Sequence, residues 1–306
     1  MRAMAIDDFG AAPALTDLPE PRPGPGEVLV RVRASSLNGF DAAVAAGMLQ
    51  GAMEHRFPVV LGKDFAGTVD AVGDGAARFA VGDEVFGVVM KPVVGDGAFG
   101  EYLTVGEQYG IARVPAGLDL AAAGALGLAG TAALGAMDAV APRAGETVLI
   151  CGATGGVGAI AIQYAVAAGA RVIATARPGP EAEFVRELGA DHVVDYTGDL
   201  TTQVRAVAPD GVSAAVHLAG DGAQVADLLA SGGRLASTLG LGPEQHPGAT
   251  AIMANPDPAT LDRLAADAAS GRLRVPISRS YQLTEVPKAL ADFSAGTLGK
   301  LGVTLS

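Results

Sequence analysis

Apolar and polar residues alternate with period two across Glu27-Val-Leu-Val-Arg-Val-Arg-Ala34, as they do in a strand with one wet face. The run Pro21-Arg-Pro-Gly-Pro-Gly26 before it cannot join regular structure. Further strands are predicted at Phe65–Val72, closed by Gly73-Asp-Gly75, after the turn Val81-Gly-Asp-Glu-Val-Phe-Gly87, and at Phe99–Val105. Short strands with glycine turns predict a compact, barrel-like unit. Past Pro115 the period changes. Ala121–Val140 reads as one helix, and Thr147-Val-Leu-Ile-Cys151 as a buried strand. From there Val157, Ile160, Ala161, Tyr164 and Ala165 form the stripe of an amphipathic helix. Strands at Arg171–Thr175, His192–Val194, Ala214–His217 and Arg234–Thr238 alternate with helices at Glu181–Leu188, Leu200–Val207 and Ala223–Ala230. Such spacing predicts parallel βαβ units. A helix at Ala259–Ala269 follows, and the tail from Arg274 holds two strand-like ends around a short helix at Val286–Phe293.

The most specific chemical signal is Gly152-Ala-Thr-Gly-Gly-Val-Gly158, which leaves a predicted strand and opens a predicted helix. Glycine permits the tight turn and a close approach of backbone to a pyrophosphate. The helix start offers that anion free N–H groups and a partial positive charge. The next strand ends Thr175-Ala-Arg177, without the carboxylate that holds the ribose 2′-hydroxyl of NADH. Arg177 could instead grip a 2′-phosphate, or it is simply solvated at a loop start, and Glu181 and Glu183 further on complicate the choice. NADPH is the expected cofactor.

Composition narrows the partners. The 306 residues are half apolar, so a large core can form, and a net charge of -12 argues against nucleic-acid binding and a polybasic membrane anchor. The apolar stretch Leu120–Val140 is interrupted by Thr131 and Asp138 and reads as buried helix, not a span. Met1–Gly10 shows no basic-then-apolar leader pattern, and the single cysteine excludes an internal disulfide, so a reducing cytoplasm is expected. Cys151 falls in a buried strand and reads as a small core residue. His217 reads as a strand residue and His55, His192 and His246 as exposed.

In order and spacing, these segments resemble the zinc-free quinone oxidoreductases (the zeta-crystallin-like group) of the medium-chain dehydrogenase/reductase superfamily. The resemblance runs through Leu61–Gly73, Val81–Gly87, Gly100-Glu-Tyr102, Leu128–Ala133, Gly152–Gly158, Leu188–Tyr196, Gly232–Leu235 and Gly299–Val303. It implies an α/β chain with a GroES-like β-barrel catalytic domain at 1–117 and 272–306. A Rossmann doubly wound parallel-sheet NADP(H)-binding domain is implied at 118–271, with nicotinamide and substrate in the cleft between the two. It further implies that Asn38 faces the nicotinamide and an active-site water, and that Thr131 approaches the nicotinamide. Ala153, Thr154, Gly155, Gly156 and Val157 would hold the pyrophosphate. Thr175, Ala176 and Arg177 would hold the adenosine 2′-phosphate, Tyr196 would border the adenine, and Ala219 and Gly220 would lie below the cofactor. A homodimer is implied as well. Two departures stand out. The segment after Gly240 is short, and Ala43 replaces a tyrosine of some relatives.

Zinc-dependent relatives place Cys and His-Glu where this chain has Asn38 and Lys63-Asp64, and neither an amide nor an ammonium is a good zinc ligand. No metal site is expected. Without zinc to hold an alkoxide, the acceptor must disperse its own charge, as a quinone or an α,β-unsaturated carbonyl does. Asn38 could donate to substrate or position water, or serve only as a helix N-cap before Gly39-Phe-Asp41. Lys63 or Asp64 touches the nicotinamide side or forms a local salt bridge. An NADPH-dependent quinone or enone reductase is the expected activity. The alternatives are an enoyl-thioester or biosynthetic ene reductase and a catalytically silent NADPH-binding scaffold or sensor. A zinc alcohol dehydrogenase is the least favoured.

Overall fold

The computed structural model describes residues 1–305. The described residues form two compact units, one of residues 1–128 with 256–305 and one of residues 129–255. In the first unit the chain runs β1 (Arg2–Ile6), β2 (Ala14–Asp17), β3 (Glu27–Ser36), α1 (Gly39–Ala45), β4 (Val59–Val60), β5 (Asp64–Val72), β6 (Glu84–Val88), β7 (Tyr102–Gly106), β8 (Ile111–Arg113) and α2 (Leu120–Ala123). Helix α3 (Gly127–Val140) carries the chain into the second unit.

The second unit continues with β9 (Thr147–Cys151), α4 (Gly156–Ala167), β10 (Arg171–Thr175), α5 (Pro180–Glu187), β11 (His192–Val194), α6 (Leu200–Val207), β12 (Val212–His217), α7 (Gly222–Asp227), β13 (Leu229–Ser237) and β14 (Ala249–Ala251). The chain then returns to the first unit with α8 (Pro258–Ala269), β15 (Ile277–Gln282), α9 (Val286–Ser294) and β16 (Lys300–Thr304).

Strand β3 is the hub of the first unit. It pairs antiparallel with β5, β7 and β16, within the sheet order β15-β16-β3-β5-β6-β8. Its alternation has the expected result: Val28, Val30 and Val32 enter one core with Phe65, Val69, Leu103 and Val303. A smaller sheet, β2-β1-β4, covers another side. Strands β1, β2, β4, β8 and β14 and helix α1 were not legible in the periodicity. All are seven residues or shorter, too brief for a pattern to repeat.

The second unit is a six-stranded sheet, parallel throughout, in the order β11-β10-β9-β12-β13-β14. This is the doubly wound order of dinucleotide-binding folds, with its switch point between β9 and β12. All of β9 is buried, which explains its unbroken apolar run.

Two predicted helices change. The single helix at 121–140 is broken into α2 and α3 at Gly124–Leu126. A Cβ on Gly124 would lie 2.8 Å from the Ala34 carbonyl carbon, so the chain is pressed onto β3 there. The helix then restarts where the Asp64 carboxylate accepts the Leu128 N–H at 2.6 Å. The capping group comes from a distant strand, so no local pattern announces it. The helix at 223–230 stops at Asp227, because β13 already begins at Leu229 and pairs there with Val212. Among the described residues, no helix is long and apolar enough to cross a membrane.

Candidate functional site

In the second unit, β9, β10 and β12 end beside a cavity of about 340 Å³. It lies at the switch point, where open α/β sheets place their ligands. The lining includes Cys151, Gly152, Thr154, Thr175, Tyr196, Ala219 and Gly220, with Leu200 and Val225 as apolar wall and Asp221 and Gln224 as polar groups.

The glycine loop is built from backbone requirements. Gly152 has φ +81°, the left-handed region that turns the chain sharply off β9. Its N–H donates to the Thr175 hydroxyl at 3.0 Å, which ties the loop to the end of β10. Gly155 is the N-cap of α4 with ordinary extended angles, and a Cβ there would meet only the Gly152 oxygen, at 3.6 Å. Gly158 differs: a Cβ would fall 2.3 Å from that oxygen, so the first turn of α4 and the loop leaving β9 approach too closely for any side chain. Turn, open approach and close packing are thus divided among three glycines.

The rim past β12 is held by His217. Its Nδ1 lies 3.0 Å from the Ser237 hydroxyl and its Nε2 lies 3.1 Å from the Gly220 carbonyl. A carbonyl only accepts, so Nε2 carries the hydrogen. His217 therefore pins the loop bearing Ala219 and Gly220. The periodicity made it an ordinary strand residue; only the strand pairing β12–β13, which sets Ser237 beside it, reveals this task. The Cys151 thiol also lines the cavity, but burial pushes its pKa up to about 12, so it is no nucleophile.

Arg177, two residues past the end of β10, is exposed and is not among the residues that line the cavity. Its Nε donates to Glu181 Oε1 at 2.7 Å, its Nη2 reaches the same oxygen at 2.5 Å, and its backbone N–H donates to Oε2 at 2.8 Å. The Tyr196 hydroxyl donates to Glu181 Oε1 at 3.4 Å. Of the nucleotide residues inferred from sequence, Thr154, Thr175, Tyr196, Ala219 and Gly220 line this one cavity. Gly155, Gly156 and Val157 sit at the start of α4, Ala153 and Ala176 are buried, and Thr131 is buried in α3. Leu200, Asp221, Gln224 and Val225 were not singled out from sequence, since they bear no motif and converge only through the βαβ winding.

The first unit holds a separate buried polar cluster. Asp64 Oδ2 accepts from Ser36 Oγ (2.7 Å), Asn38 Nδ2 (2.9 Å) and Lys300 Nζ (3.2 Å). Lys300 Nζ also donates to Asn38 Oδ1 at 2.5 Å and to the Leu37 carbonyl at 2.9 Å. Asn38 is the N-cap of α1, and its N–H donates to Asp41 Oδ2 at 2.8 Å. Its second amide contact, to the Ser36 carbonyl, is long at 3.4 Å. Burial, reinforced by the negative charge of Asp64, raises the Asp41 pKa to about 7.

Asp64 pairs with Lys300, not with its neighbour Lys63. Successive residues at a strand start point to opposite faces. Lys63 Nζ instead donates to the Val89 carbonyl at 2.7 Å and lies 4.6 Å from the Phe40 ring centre. Burial lowers its pKa, opposed by the Asp41 charge. Among the described residues, no three His, Cys, Asp or Glu side chains gather as a metal-binding group. His55 and His246 are half-buried, not exposed.

An all-parallel sheet of this order, in one chain with a mainly antiparallel β unit, is the architecture of dinucleotide-dependent dehydrogenases and reductases. The chain matches the family described as "Alcohol dehydrogenase GroES-like domain" over residues 24–116 and that described as "Zinc-binding dehydrogenase" over residues 156–264. A chloroplast envelope quinone oxidoreductase homolog of Arabidopsis thaliana is 33% identical over 230 residues, 72% of this chain and 68% of that protein. A mycocerosic acid synthase-like polyketide synthase of Mycobacterium tuberculosis is 41% identical over 217 residues, 69% of this chain. The chain spans about a tenth of the length of that synthase. Among solved structures, the quinone oxidoreductase from Coxiella burnetii is 28% identical with a TM-score of 0.90, covering 100% of this chain and 99% of that one. A mycobacterial protein complexed with NADPH is 26% identical with a TM-score of 0.87, covering 100% of both chains. The chain belongs to the quinone oxidoreductase-like members of the medium-chain dehydrogenase/reductase superfamily.

Proposed function

We propose that this protein is a zinc-independent, NADPH-dependent oxidoreductase that reduces a quinone or an α,β-unsaturated carbonyl. The observation that carries the reading is the cavity at the switch point, with the glycine loop at its edge. Its residues fit a nicotinamide dinucleotide. Gly156 and Val157, in the first turn of α4, would present their N–H groups to the pyrophosphate beside the N-cap Gly155, whose own N–H donates to the Gly152 carbonyl at 3.3 Å, and Ala153 shapes the loop beneath them. Tyr196, Leu200 and Val225 would flank the adenine, and Ala219 and Gly220 would support the cofactor from the loop that His217 pins. Arg177, with the Thr175-Ala176 strand end behind it, would take the 2′-phosphate.

A bound NADPH would supply the hydride. The protein's part is alignment and exclusion of water. Asn38 fits a positioning role. Its amide oxygen and one amide hydrogen are committed to Lys300 and Asp64, which fixes the group, while the other hydrogen is held by the long contact to the Ser36 carbonyl and would have to leave it to reach an acceptor oxygen. Thr131 is assigned to the nicotinamide side. Zinc independence is supported by the donor set: an amide at Asn38 and an ammonium at Lys63 offer a metal nothing comparable to thiolate and imidazole.

A second reading, reduction of an enoyl thioester, is favoured by the match to the mycobacterial polyketide synthase. One assay separates the two. Purified, metal-stripped protein is mixed with NADPH and a panel of quinones, enones, enoyl thioesters and simple aldehydes, and loss of reduced-nicotinamide absorbance is followed. Turnover of quinones or enones supports the proposal. Turnover confined to thioesters supports the second reading. Binding of NADPH without oxidation by any acceptor contradicts both and favours a silent scaffold.

A further inference from the structure

The carboxylate of Glu181 is more firmly held than the guanidinium it faces. Oε2 accepts the Arg177 backbone N–H, and Oε1 accepts the guanidinium edge and the Tyr196 hydroxyl. Its side chain is 15% exposed, against 56% for Arg177. Glu181 therefore keeps its place even if the arginine swings away. Burial pushes its pKa up, but the hydrogen bonds and charge of Arg177 together with the Tyr196 hydroxyl outweigh it and hold the pKa low, so it stays charged at neutral pH. Asp195 adds a second carboxylate close enough to act on Arg177 electrostatically. One mobile cation thus stands among two anions, one of them firmly held.

The two dinucleotides meet this arrangement differently. A 2′-phosphate brings about 1.5 to 2 negative charges, and it encounters Glu181 and Asp195 together with Arg177. It must also share a guanidinium whose Nε and Nη2 are already engaged. A 2′-hydroxyl brings no charge and can donate to a carboxylate, the usual recognition of the NADH ribose. In this chain the carboxylate comes from the first turn of α5 and not from the end of β10.

We propose that Glu181 determines cofactor selectivity: it restrains NADPH at Arg177 and offers the NADH ribose an acceptor, so the unaltered protein binds both with only a narrow preference for NADPH. This rests on the assignment of the cavity to a nicotinamide dinucleotide. The test is calorimetric titration of the whole chain with NADPH and with NADH, at low and high salt, for the unaltered protein, Glu181→Gln and Glu181→Asp. Glu181→Gln is expected to shift the ratio of the two affinities toward NADPH by about tenfold at low salt, because a charge is removed beside the phosphate. The shift shrinks at high salt, which a purely structural role would not produce. Glu181→Asp, with a shorter reach, moves the ratio the same way by less. An unchanged ratio, or one that moves toward NADH, overturns the inference alone. Failure of the unaltered protein to bind either dinucleotide overturns the assignment of the cavity and the inference with it.

Discussion

Two ion pairs, one in each unit, share the same chemistry and differ in everything else. Lys300 and Asp64 are 3% and 0% exposed and sit in a net of hydrogen bonds that also takes in Ser36, Asn38 and the start of α3. Arg177 and Glu181 are four residues apart near the surface, outside the lining of the cavity and linked to it through the Tyr196 hydroxyl. A buried pair is costly to break, because either partner left alone is an uncompensated charge in a poor solvent for it. An exposed pair is screened by water and salt and contributes little to stability. The first kind specifies a fold. The second is free to exchange a partner for a ligand, which is what a binding edge requires.

The sharpest way to break this contrast is to remove the buried cation. Lys300→Met should destabilise the first unit by about 3–5 kcal/mol, read from urea unfolding. A loss near that of Arg177→Met would abolish the distinction. Next in size is Gly158→Val. The added side chain must displace the Gly152 carbonyl, which its first atom alone would approach to 2.3 Å, and a large fall in melting temperature is expected. A Cβ at Gly155 meets nothing closer than 3.6 Å, so Gly155→Val should lower the melting temperature far less than Gly158→Val.

Asp41 sharpens the comparison through pH. Its folded pKa of about 7 lies above the ordinary 3.8, so between those values the folded chain keeps a proton that the unfolded chain has released. Stability should therefore fall as pH rises through that window and level off above it. Asp41→Asn should flatten this part of the profile; an unaltered slope would remove Asp41 as its source. The smallest expected stability effect is that of Arg177→Glu, since its pair is exposed. Its effect on binding should be large and selective, weakening NADPH by more than tenfold with little change for NADH. Equal losses for both would take Arg177 off the 2′-phosphate.

The same contrast explains what could be read from the sequence. The parallel sheet was legible because each βαβ piece advertises itself locally, and helix α6 at Leu200–Val207 matches its pattern residue for residue. The glycine loop was legible because its constraints, a positive φ at Gly152 and a close approach at Gly158, fall within seven residues. The pair Arg177–Glu181 lies at i,i+4 and was half visible. The Lys300–Asp64 cluster was not, since its members lie 236 positions apart and meet only when β16 pairs with β3. The break between α2 and α3 was hidden for the same reason, as the carboxylate that restarts the helix belongs to β5.

The most direct test of the central claim is a fluorescence titration of NADPH against the unaltered protein and Gly155→Val, with the melting temperature of each measured alongside. Saturable binding by the unaltered protein, lost in a variant that remains folded, is the predicted result. Equal binding by a folded Gly155→Val, or none by the unaltered protein, would contradict the assignment of this loop and cavity to the dinucleotide.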